Sequence, residues 1–234
     1  MKKLIEVLRR ASSSEEPWWQ TFEFQTEDQE ATVATALRAL NECVDLRDVE
    51  GAPATPIRWE SSCLQRKCGA CAMVINGSPR LACDTRLAEL RGERVRLQPL
   101  SKFPVVADLV VDRDSLMSTL IEAQAWLEND AELSDRRWNV AYNASRCLQC
   151  GCCLEVCPNF SVGGGYGGMA AMVPLARLLS EAPKEQREAL AKSYRETVYG
   201  GCAKSLACRK VCPVELDLDG LLSRSNAAAI WRRW

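Results

Sequence analysis

The segment CLQCGCCLEVCP, which runs from Cys147 to Pro158, decides how the C-terminal half of this 234-residue chain folds. Its cysteines are separated by two, two and three residues and are followed by proline, which is the spacing of bacterial ferredoxins. A related segment follows with the spacing Cys202-x5-Cys208-x3-Cys212-Pro213. It lacks one cysteine, because Ser205 stands where the second ligand is expected. Both segments therefore predict loops that wrap around iron–sulfur clusters.

A third cysteine pattern lies in the N-terminal half. Cys63-x4-Cys68-x2-Cys71, followed by Cys83, has the plant-type spacing for one [2Fe–2S] cluster. The small residues Gly69 and Ala70 let the backbone approach such a cluster and point N–H groups at its sulfurs. A zinc site is the alternative for these four cysteines, although zinc knuckles prefer two short cysteine pairs.

The ligands of the two C-terminal clusters follow from one rule: the fourth cysteine of each ferredoxin segment ligates the other cluster. One cluster, a [4Fe–4S], is expected on four thiolates, those of Cys147, Cys150, Cys153 and Cys212. The other has three thiolates, those of Cys157, Cys202 and Cys208. Three protein ligands and a vacant corner at Ser205 favour [3Fe–4S]. A [4Fe–4S] cluster with Ser205 Oγ on its fourth iron is the alternative.

Two of the thirteen cysteines remain outside these patterns. Cys43 follows a predicted helix, and we expect it to be a small buried hydrophobic residue. Cys152 lies between two predicted ligands, and we expect it to pack as well; an exchange with a neighbouring ligand is the alternative.

Composition excludes several classes of protein. The 30 Lys and Arg residues nearly cancel the 31 Asp and Glu residues, so the charge gives no reason to expect nucleic acid. The absence of histidine excludes Rieske centres and His-based catalysis. An odd cysteine number, ligand-like spacings and an N-terminus without a signal-peptide pattern oppose disulfides. No apolar run approaches the ~20 residues that span a bilayer. We therefore expect a soluble chain in a reducing compartment, one that could still dock on a membrane component.

The N-terminal half shows mixed α/β patterns. Strands are predicted at Trp18 to Gln25, at Met73 to Ile75 with a return after Asn76-Gly77, and at Val95 to Gln98. A helix is predicted from Thr32, its N-cap, to Asn41. This order suits a β-grasp ferredoxin domain.

Helical patterns dominate after Pro99, at Leu116 to Leu127, Leu175 to Leu179 and Glu185 to Tyr194. The predicted fold class is thus α+β, with a β-grasp [2Fe–2S] domain at residues 1–103 and a helical domain at residues 104–234. Glycines 163, 165 and 168 match a dinucleotide fingerprint, but no predicted strand precedes them, so we expect a tight loop. Residues 231–234 combine aromatic and basic side chains and could touch a membrane partner, or form a solvated helix end.

Taken together, these motifs make the chain resemble the iron–sulfur subunit of succinate dehydrogenase or fumarate reductase. The matching stretches are WESSCLQRKCGACAMVING (59–77) with Cys83, FPVVADLVVD (103–112), and both ferredoxin segments with the serine at position 205. The resemblance implies a partner flavoprotein that carries FAD and a membrane cytochrome b or anchor subunit that carries heme b. It also implies that electrons pass from flavin through the [2Fe–2S], [4Fe–4S] and [3Fe–4S] clusters to membrane quinone. The chain would be peripheral, on the cytoplasmic face of the cell membrane, and the direction of electron flow stays open.

One departure from the family concerns the quinone. Ubiquinone-reacting members typically have a Trp-Trp pair soon after the cysteine at position 157 and a His after the cysteine at position 202. Here the corresponding positions are Pro158 to Val162 and Ala203. The sequence from Cys153 to Asn159 resembles that of the menaquinone-linked branch with a diheme cytochrome b. Menaquinone is therefore favoured, and Pro158 and Asn159 are quinone-site candidates by position alone.

A different function remains open, that of the electron-transfer subunit of a soluble complex. Examples are a thiol-dependent fumarate reductase and a heterodisulfide-reductase-like enzyme. These often carry an extra cysteine-rich domain, which we do not expect here because the chain stops soon after Cys212.

Overall fold

The computed structural model describes residues 1–131 and 134–231, in two compact units, Met1–Asp112 and Arg113–Trp234. The predicted boundary lay after Phe103, whereas the first unit continues to Asp112. Hydrogen bonds account for the difference, since the Asp108 N–H donates to the Arg10 carbonyl (2.9 Å) and the Leu109 N–H to the Arg58 carbonyl (3.1 Å). These bonds hold the residues after Phe103 on the N-terminal unit.

A five-stranded mixed sheet forms the first unit. Its spatial order is β2-β1-β5-β3-β4, with β1 and β5 parallel and the other neighbours antiparallel. One helix, α1, lies between β2 and β3 in the chain. This topology is that of a β-grasp domain, so the predicted N-terminal fold is confirmed. The elements are β1 (Lys2–Arg9), β2 (Trp18–Gln25), α1 (Val33–Glu42), β3 (Ala72–Ile75), β4 (Ser78–Leu81) and β5 (Arg94–Gln98).

The hairpin β3–β4 and the helix α1 follow their predicted local chemistry. Asn76 (φ 49°) and Gly77 (φ 77°) are both left-handed, as a two-residue type I′ turn requires. Thr32 is the N-cap of α1, and a capping box joins it to Thr35. The predicted strands and helix are therefore confirmed, with ends that shift by one or two residues.

β1 is an interior strand of the sheet that the sequence did not predict. It buries three polar residues, Lys3, Glu6 and Arg9, and these hide the alternation that marks a strand. Each has partners, as buried polar groups need. Lys3 Nζ donates to two backbone carbonyls, and Glu6 accepts from Arg94 and from Arg96 Nε (2.6 Å). The hydrogen bond from Arg96 is the main cause that lowers the pKa of Glu6.

A buried carboxylate, Asp108, joins three segments of the first unit. It lies between the short strands β6 (Val105–Ala107) and β7 (Val110–Val111). Its oxygens accept from Arg9 Nε (3.1 Å) and from the backbone N–H groups of Arg10 and Arg58 (both 2.9 Å). The side chains of Arg9 and Asp108 are 2% and 1% exposed. Water therefore solvates neither charge, and each depends on its protein partners.

Helices build the second unit around a central one, α5. Twelve of its residues are buried, and α2, α3, α4, α6 and α8 pack against it. The predicted helical stretches fall in α2, α5 and α6, although α2 ends before the predicted Leu127. α3 and α8 were not predicted, because the first is mostly polar and the second carries Gly, Ser and Asn, which favour helices weakly. The helices are α2 (Asp114–Glu122), α3 (Asp135–Ser145), α4 (Cys152–Glu155), α5 (Gly168–Glu181), α6 (Lys184–Thr197), α7 (Ala207–Lys210) and α8 (Leu218–Ala229).

Among the described residues, none of these helices has the length and apolar character of a bilayer-spanning segment. The membrane contact considered for residues 231–234 concerns a stretch of which 232–234 lie outside the described residues.

The Asp108 contacts generate a stability prediction. Replacing Asp108 by Ala leaves the Arg9 guanidinium buried without its carboxylate, so we expect a loss of roughly 3–5 kcal/mol in the free energy of unfolding. Asp45→Ala is the matched control, because its ion pair with Arg47 is largely exposed and is worth about 1 kcal/mol or less. Urea denaturation of the full chain, followed by tryptophan fluorescence, measures both. Equal losses for the two variants would contradict the central role of Asp108.

Candidate metal centres

The first cysteine group is assembled by the β3–β4 hairpin and the loop before it. Cys71 immediately precedes β3, and the Ala82 N–H, just after β4, donates to the Cys71 carbonyl (3.0 Å). Cys83 therefore lies beside Cys71. α1 supports this corner, since the N–H groups of Val33 and Ala34 donate to carbonyls on either side of Cys83 (2.9 and 3.0 Å).

The loop from Cys63 to Cys71 turns its backbone N–H groups toward sulfur. Leu64 (φ 53°), Arg66 (φ 58°) and Gly69 (φ 77°) are left-handed, which lets a short loop fold back on itself. The N–H groups of Gln65 and Lys67 both lie 3.3 Å from Cys63 Sγ, and the Arg66 N–H lies 3.4 Å from Cys83 Sγ.

These hydrogen bonds change the acidity of the thiols. The N–H groups of Gln65 and Lys67 lower the pKa of Cys63 to about 7. Burial raises the pKa of Cys71 to about 12. A bound cation that displaces the protons would thus meet one thiol that already favours its thiolate form and one that releases its proton only to a metal.

The second cysteine group lines a recess in the helical unit. The recess encloses about 410 Å³, part of it open to solvent, and its walls include Cys147, Cys150, Cys153 and Cys212. Gln149 (φ 51°) and Gly151 (φ 85°) are left-handed between these ligand candidates. Burial raises the pKa of Cys147 to about 11 and that of Cys153 well above its ordinary value.

The third group lines a separate recess of about 360 Å³, also partly open, formed by Cys157, Cys202 and Cys208. Ser205 lines it too and is exposed. Its neighbours Lys204 (φ 58°) and Leu206 (φ 55°) are left-handed, as in the other cysteine loops. The quinone-site candidates Pro158 and Asn159 also line this recess, where Asn159 Nδ2 donates to the Gly201 carbonyl (2.6 Å).

The chain thus brings together the three groups of cysteines that spacing had grouped. Cys212 joins the first ferredoxin segment and Cys157 joins the second, which is the exchange of fourth cysteines that the spacing predicts. Within residues 1–131 and 134–231, no three Cys, Asp or Glu side chains are arranged to hold a single metal ion. Groups of three and four soft thiolates are the donor sets that iron–sulfur clusters take.

Comparison with known proteins agrees with this donor set. A 2Fe-2S iron-sulfur cluster binding domain matches residues 4–118, and a 4Fe-4S dicluster domain matches residues 143–216. The succinate dehydrogenase iron-sulfur subunit of Bacillus subtilis (strain 168) is 34% identical over 190 residues, which are 76% of this chain and 74% of that protein. The chain belongs to the family of succinate dehydrogenase and fumarate reductase iron–sulfur subunits.

One further relative supports the family, and one solved structure supports the fold. The fumarate reductase iron-sulfur subunit of Mycobacterium tuberculosis is 32% identical over 183 residues, or 74% of this chain and 73% of that protein. The fold matches a chain of the Mycobacterium smegmatis Sdh1 complex in the apo form with a TM-score of 0.73 at 22% identity, covering 96% and 95% of the two chains. The chain is therefore an iron–sulfur electron-transfer subunit of an oxidoreductase complex, succinate dehydrogenase or fumarate reductase.

Of the two cysteines outside the ligand groups, one contradicts its prediction. Cys43 is exposed, so the prediction of a buried residue was wrong. The buried face of α1 continues through Leu37 and Leu40, but the helix ends at Glu42 and Cys43 is its C-cap in an extended conformation. Helical spacing therefore no longer applies at that residue.

Cys152 is fully buried, and its predicted packing is confirmed. Its thiol also donates to the sulfur of Cys150, and this hydrogen bond is the main cause that lowers the pKa of Cys150 to about 7. Cys152 thus stabilises the thiolate form of a ligand candidate, Cys150.

Sequence reasoning missed one polar residue beside the third group, Tyr166. It lies in the GGGYGG segment (163–168) that leads from α4 into α5, lines the recess, and interacts through its phenolic hydroxyl with Cys157 and Cys202. Burial is the main cause that raises its pKa. The glycine-rich segment is thus a tight loop, as predicted, with left-handed Gly163, Gly165 and Gly168. The sequence signal that could have identified Tyr166 is its position as the one aromatic residue among five glycines.

The contrast between Cys43 and Cys152 gives a labelling prediction. In the intact protein, a maleimide should modify the exposed Cys43 within minutes and leave the fully buried Cys152 unmodified. Peptide mass spectrometry locates the label, and Cys43→Ser should abolish the fast phase. Fast labelling of Cys152 in the protein with its metal content intact would contradict the packing.

Proposed function

We propose that this chain relays electrons between FAD in a flavoprotein subunit and membrane quinone, with menaquinone favoured over ubiquinone. The observation that carries the proposal is the convergence of eleven thiols into three groups, one in the sheet unit and two in the helical unit. Iron–sulfur clusters, when bound, supply centres that gain and lose one electron at a time. The dicarboxylate chemistry belongs to the partner flavoprotein in this proposal.

The thiols divide among three clusters in the proposed holoprotein. Cys63, Cys68, Cys71 and Cys83 hold [2Fe–2S], and Cys147, Cys150, Cys153 and Cys212 hold [4Fe–4S]. Cys157, Cys202 and Cys208 hold [3Fe–4S], with Ser205 beside the vacant corner. The fit is supported by the shared recesses, the left-handed turns between the cysteines and the N–H groups that lie near Cys63 and Cys83.

The remaining residues of these sites control charge and solvent. Backbone N–H groups stabilise the thiolate of Cys63, and burial of Cys71, Cys147 and Cys153 excludes water from those sulfurs. Such hydrogen bonding and burial are the protein's means of adjusting a cluster potential.

The proposed complex places the chain at a membrane. Its partners are a FAD-containing flavoprotein and a membrane cytochrome b or anchor subunit with heme b, and the chain lies peripherally on the cytoplasmic face. Family membership supports both partners. Co-purification of a flavoprotein with a heme-bearing membrane subunit is the expected result. A purely soluble complex with the same flavoprotein activity would support instead the thiol-dependent or heterodisulfide-reductase-like alternative.

Iron analysis tests the cluster assignment. We expect about nine irons per chain in the purified complex and the EPR signal of an oxidised three-iron cluster. Ser205→Cys should supply the missing ligand, raise the iron content to about ten and remove that signal. Ser205→Ala is the control, and it should keep about nine irons.

Two outcomes would count against the assignment. Persistence of the three-iron signal in Ser205→Cys would show that Ser205 is not beside the vacant corner. About ten irons in the wild type, with a loss in Ser205→Ala, would favour Ser205 Oγ as a fourth ligand.

The quinone preference can be measured separately. Ala203 lines the third recess where ubiquinone-linked relatives typically carry His, and the stretch Pro158 to Val162 has no Trp pair. We therefore expect kcat/KM to be higher with a menaquinone analogue by about tenfold or more. Succinate-driven turnover with matched short-chain menaquinone and ubiquinone analogues gives the ratio. A preference for ubiquinone would refute the assignment of this branch.

A further inference from the structure

Tyr166 is placed so that its hydroxyl reaches the third cysteine group. The residue lines the recess with Cys157, Cys202 and Cys208. Its phenol, which has a single proton to donate, interacts with the sulfurs of both Cys157 and Cys202, which are separated by 45 positions in the chain. The side chain of Tyr166 therefore contacts both chain segments that form this site.

Glycines leave room for the aromatic ring of Tyr166. A Cβ on Gly201 would lie 2.6 Å from Cγ of Tyr166, far inside van der Waals contact. Gly201 is itself held in place, because its carbonyl accepts from Asn159 Nδ2 (2.6 Å). On the other side, a Cβ on Gly167 would lie 2.7 Å from Thr119 Cγ2. The loop can bring the tyrosine this close to the sulfurs only because its neighbours lack side chains.

The chemistry of the phenol sets the direction of its effect. A tyrosine hydroxyl with an ordinary pKa near 10 is protonated at neutral pH and acts as a hydrogen-bond donor. Donation to a ligand sulfur stabilises the more negative, reduced form of a cluster more than the oxidised form. Hydrogen bonds to the sulfurs therefore raise the reduction potential.

We propose that Tyr166 is a positioning residue that raises the reduction potential of the centre held by Cys157, Cys202 and Cys208. This inference rests on the proposed function, since it requires a cluster on those thiols. Because its reduction potential is higher, this centre is reduced in preference to the other centre of the helical unit. Tyr166 thereby favours electron flow toward the recess that Pro158 and Asn159 also line.

Tyr166→Phe tests the inference by removing one hydroxyl and keeping the ring. In the complex purified with its partner subunits, an EPR-monitored redox titration should show a three-iron signal of unchanged shape. We expect the equilibrium constant for one-electron reduction to fall by roughly three- to tenfold, and tenfold corresponds to ~59 mV for a one-electron couple. The titrations of the other two clusters should not move.

Tyr194→Phe is the matched control. Tyr194 lies in the same unit and is fully buried, its hydroxyl donates to Asn226 Oδ1 (2.7 Å), and its interaction with Cys202 is electrostatic, without a hydrogen bond. This variant should lower the thermal midpoint of the complex and leave the potential unchanged. Gly201→Ala gives a second route, because its methyl group pushes the ring away and should reproduce the downward shift with the hydroxyl still present.

The possible outcomes separate the inference from the proposed function. A wild-type complex without a three-iron signal would sink the cluster assignment itself. A wild-type signal with an unshifted potential in Tyr166→Phe overturns the role of the hydroxyl. Equal shifts in Tyr166→Phe and Tyr194→Phe would also overturn it, because they would show a general packing effect. Loss of the cluster in Tyr166→Phe would do the same, since a group that adjusts a potential is not needed for assembly.

Discussion

The constraint on which this molecule depends is the convergence of thiols into very small volumes from short stretches of chain. Three or four sulfurs can meet only if the backbone between them turns sharply, and here it does so through left-handed residues, most of which are not glycine. Leu64, Arg66, Gln149, Lys204 and Leu206 all have positive φ and all lie between ligand candidates. Such conformations persist only when surrounding interactions demand them. Metal binding is the interaction that can supply this demand, which couples cluster assembly to folding.

Burial of the thiols strengthens the coupling between cluster assembly and folding. The pKa of Cys71 is raised to about 12 and that of Cys147 to about 11, so these thiols hold their protons near neutral pH. Binding of iron must release those protons, and the affinity of the sites therefore rises with pH. Cys63 lies at the other extreme, since two N–H groups lower its pKa to about 7. A thiol that is already partly ionised is the natural first point of attachment for a cation.

Sequence reasoning succeeded where the determining forces are local and failed where they are distant. Cysteine spacing placed in one group the thiols that lie together in the folded chain, because the separation of such residues along the chain reflects the shape of the loop between them. The cap at Thr32 and the turn at Asn76-Gly77 are likewise local. β1 escaped notice because its buried Glu6 finds charge partners some ninety residues away. Tyr166 escaped notice because its contact with Cys202 exists only in the folded chain.

The two units also differ in how their sulfurs are stabilised. In the sheet unit, the donors to Cys63 and Cys83 are backbone N–H groups of the ligand loop itself. In the helical unit, side chains contribute beside backbone N–H groups: the thiol of Cys152 toward Cys150, Gln149 Nε2 toward Cys147 Sγ (3.5 Å), and the phenol of Tyr166 near Cys157 and Cys202. Backbone donors cannot be removed without reshaping the loop, whereas a side-chain donor is lost through one substitution. In the proposed holoprotein, single side-chain substitutions can therefore change the potentials of the helical unit's centres and leave the ligand loops intact, whereas the potential of the sheet unit's centre depends on the shape of its loop.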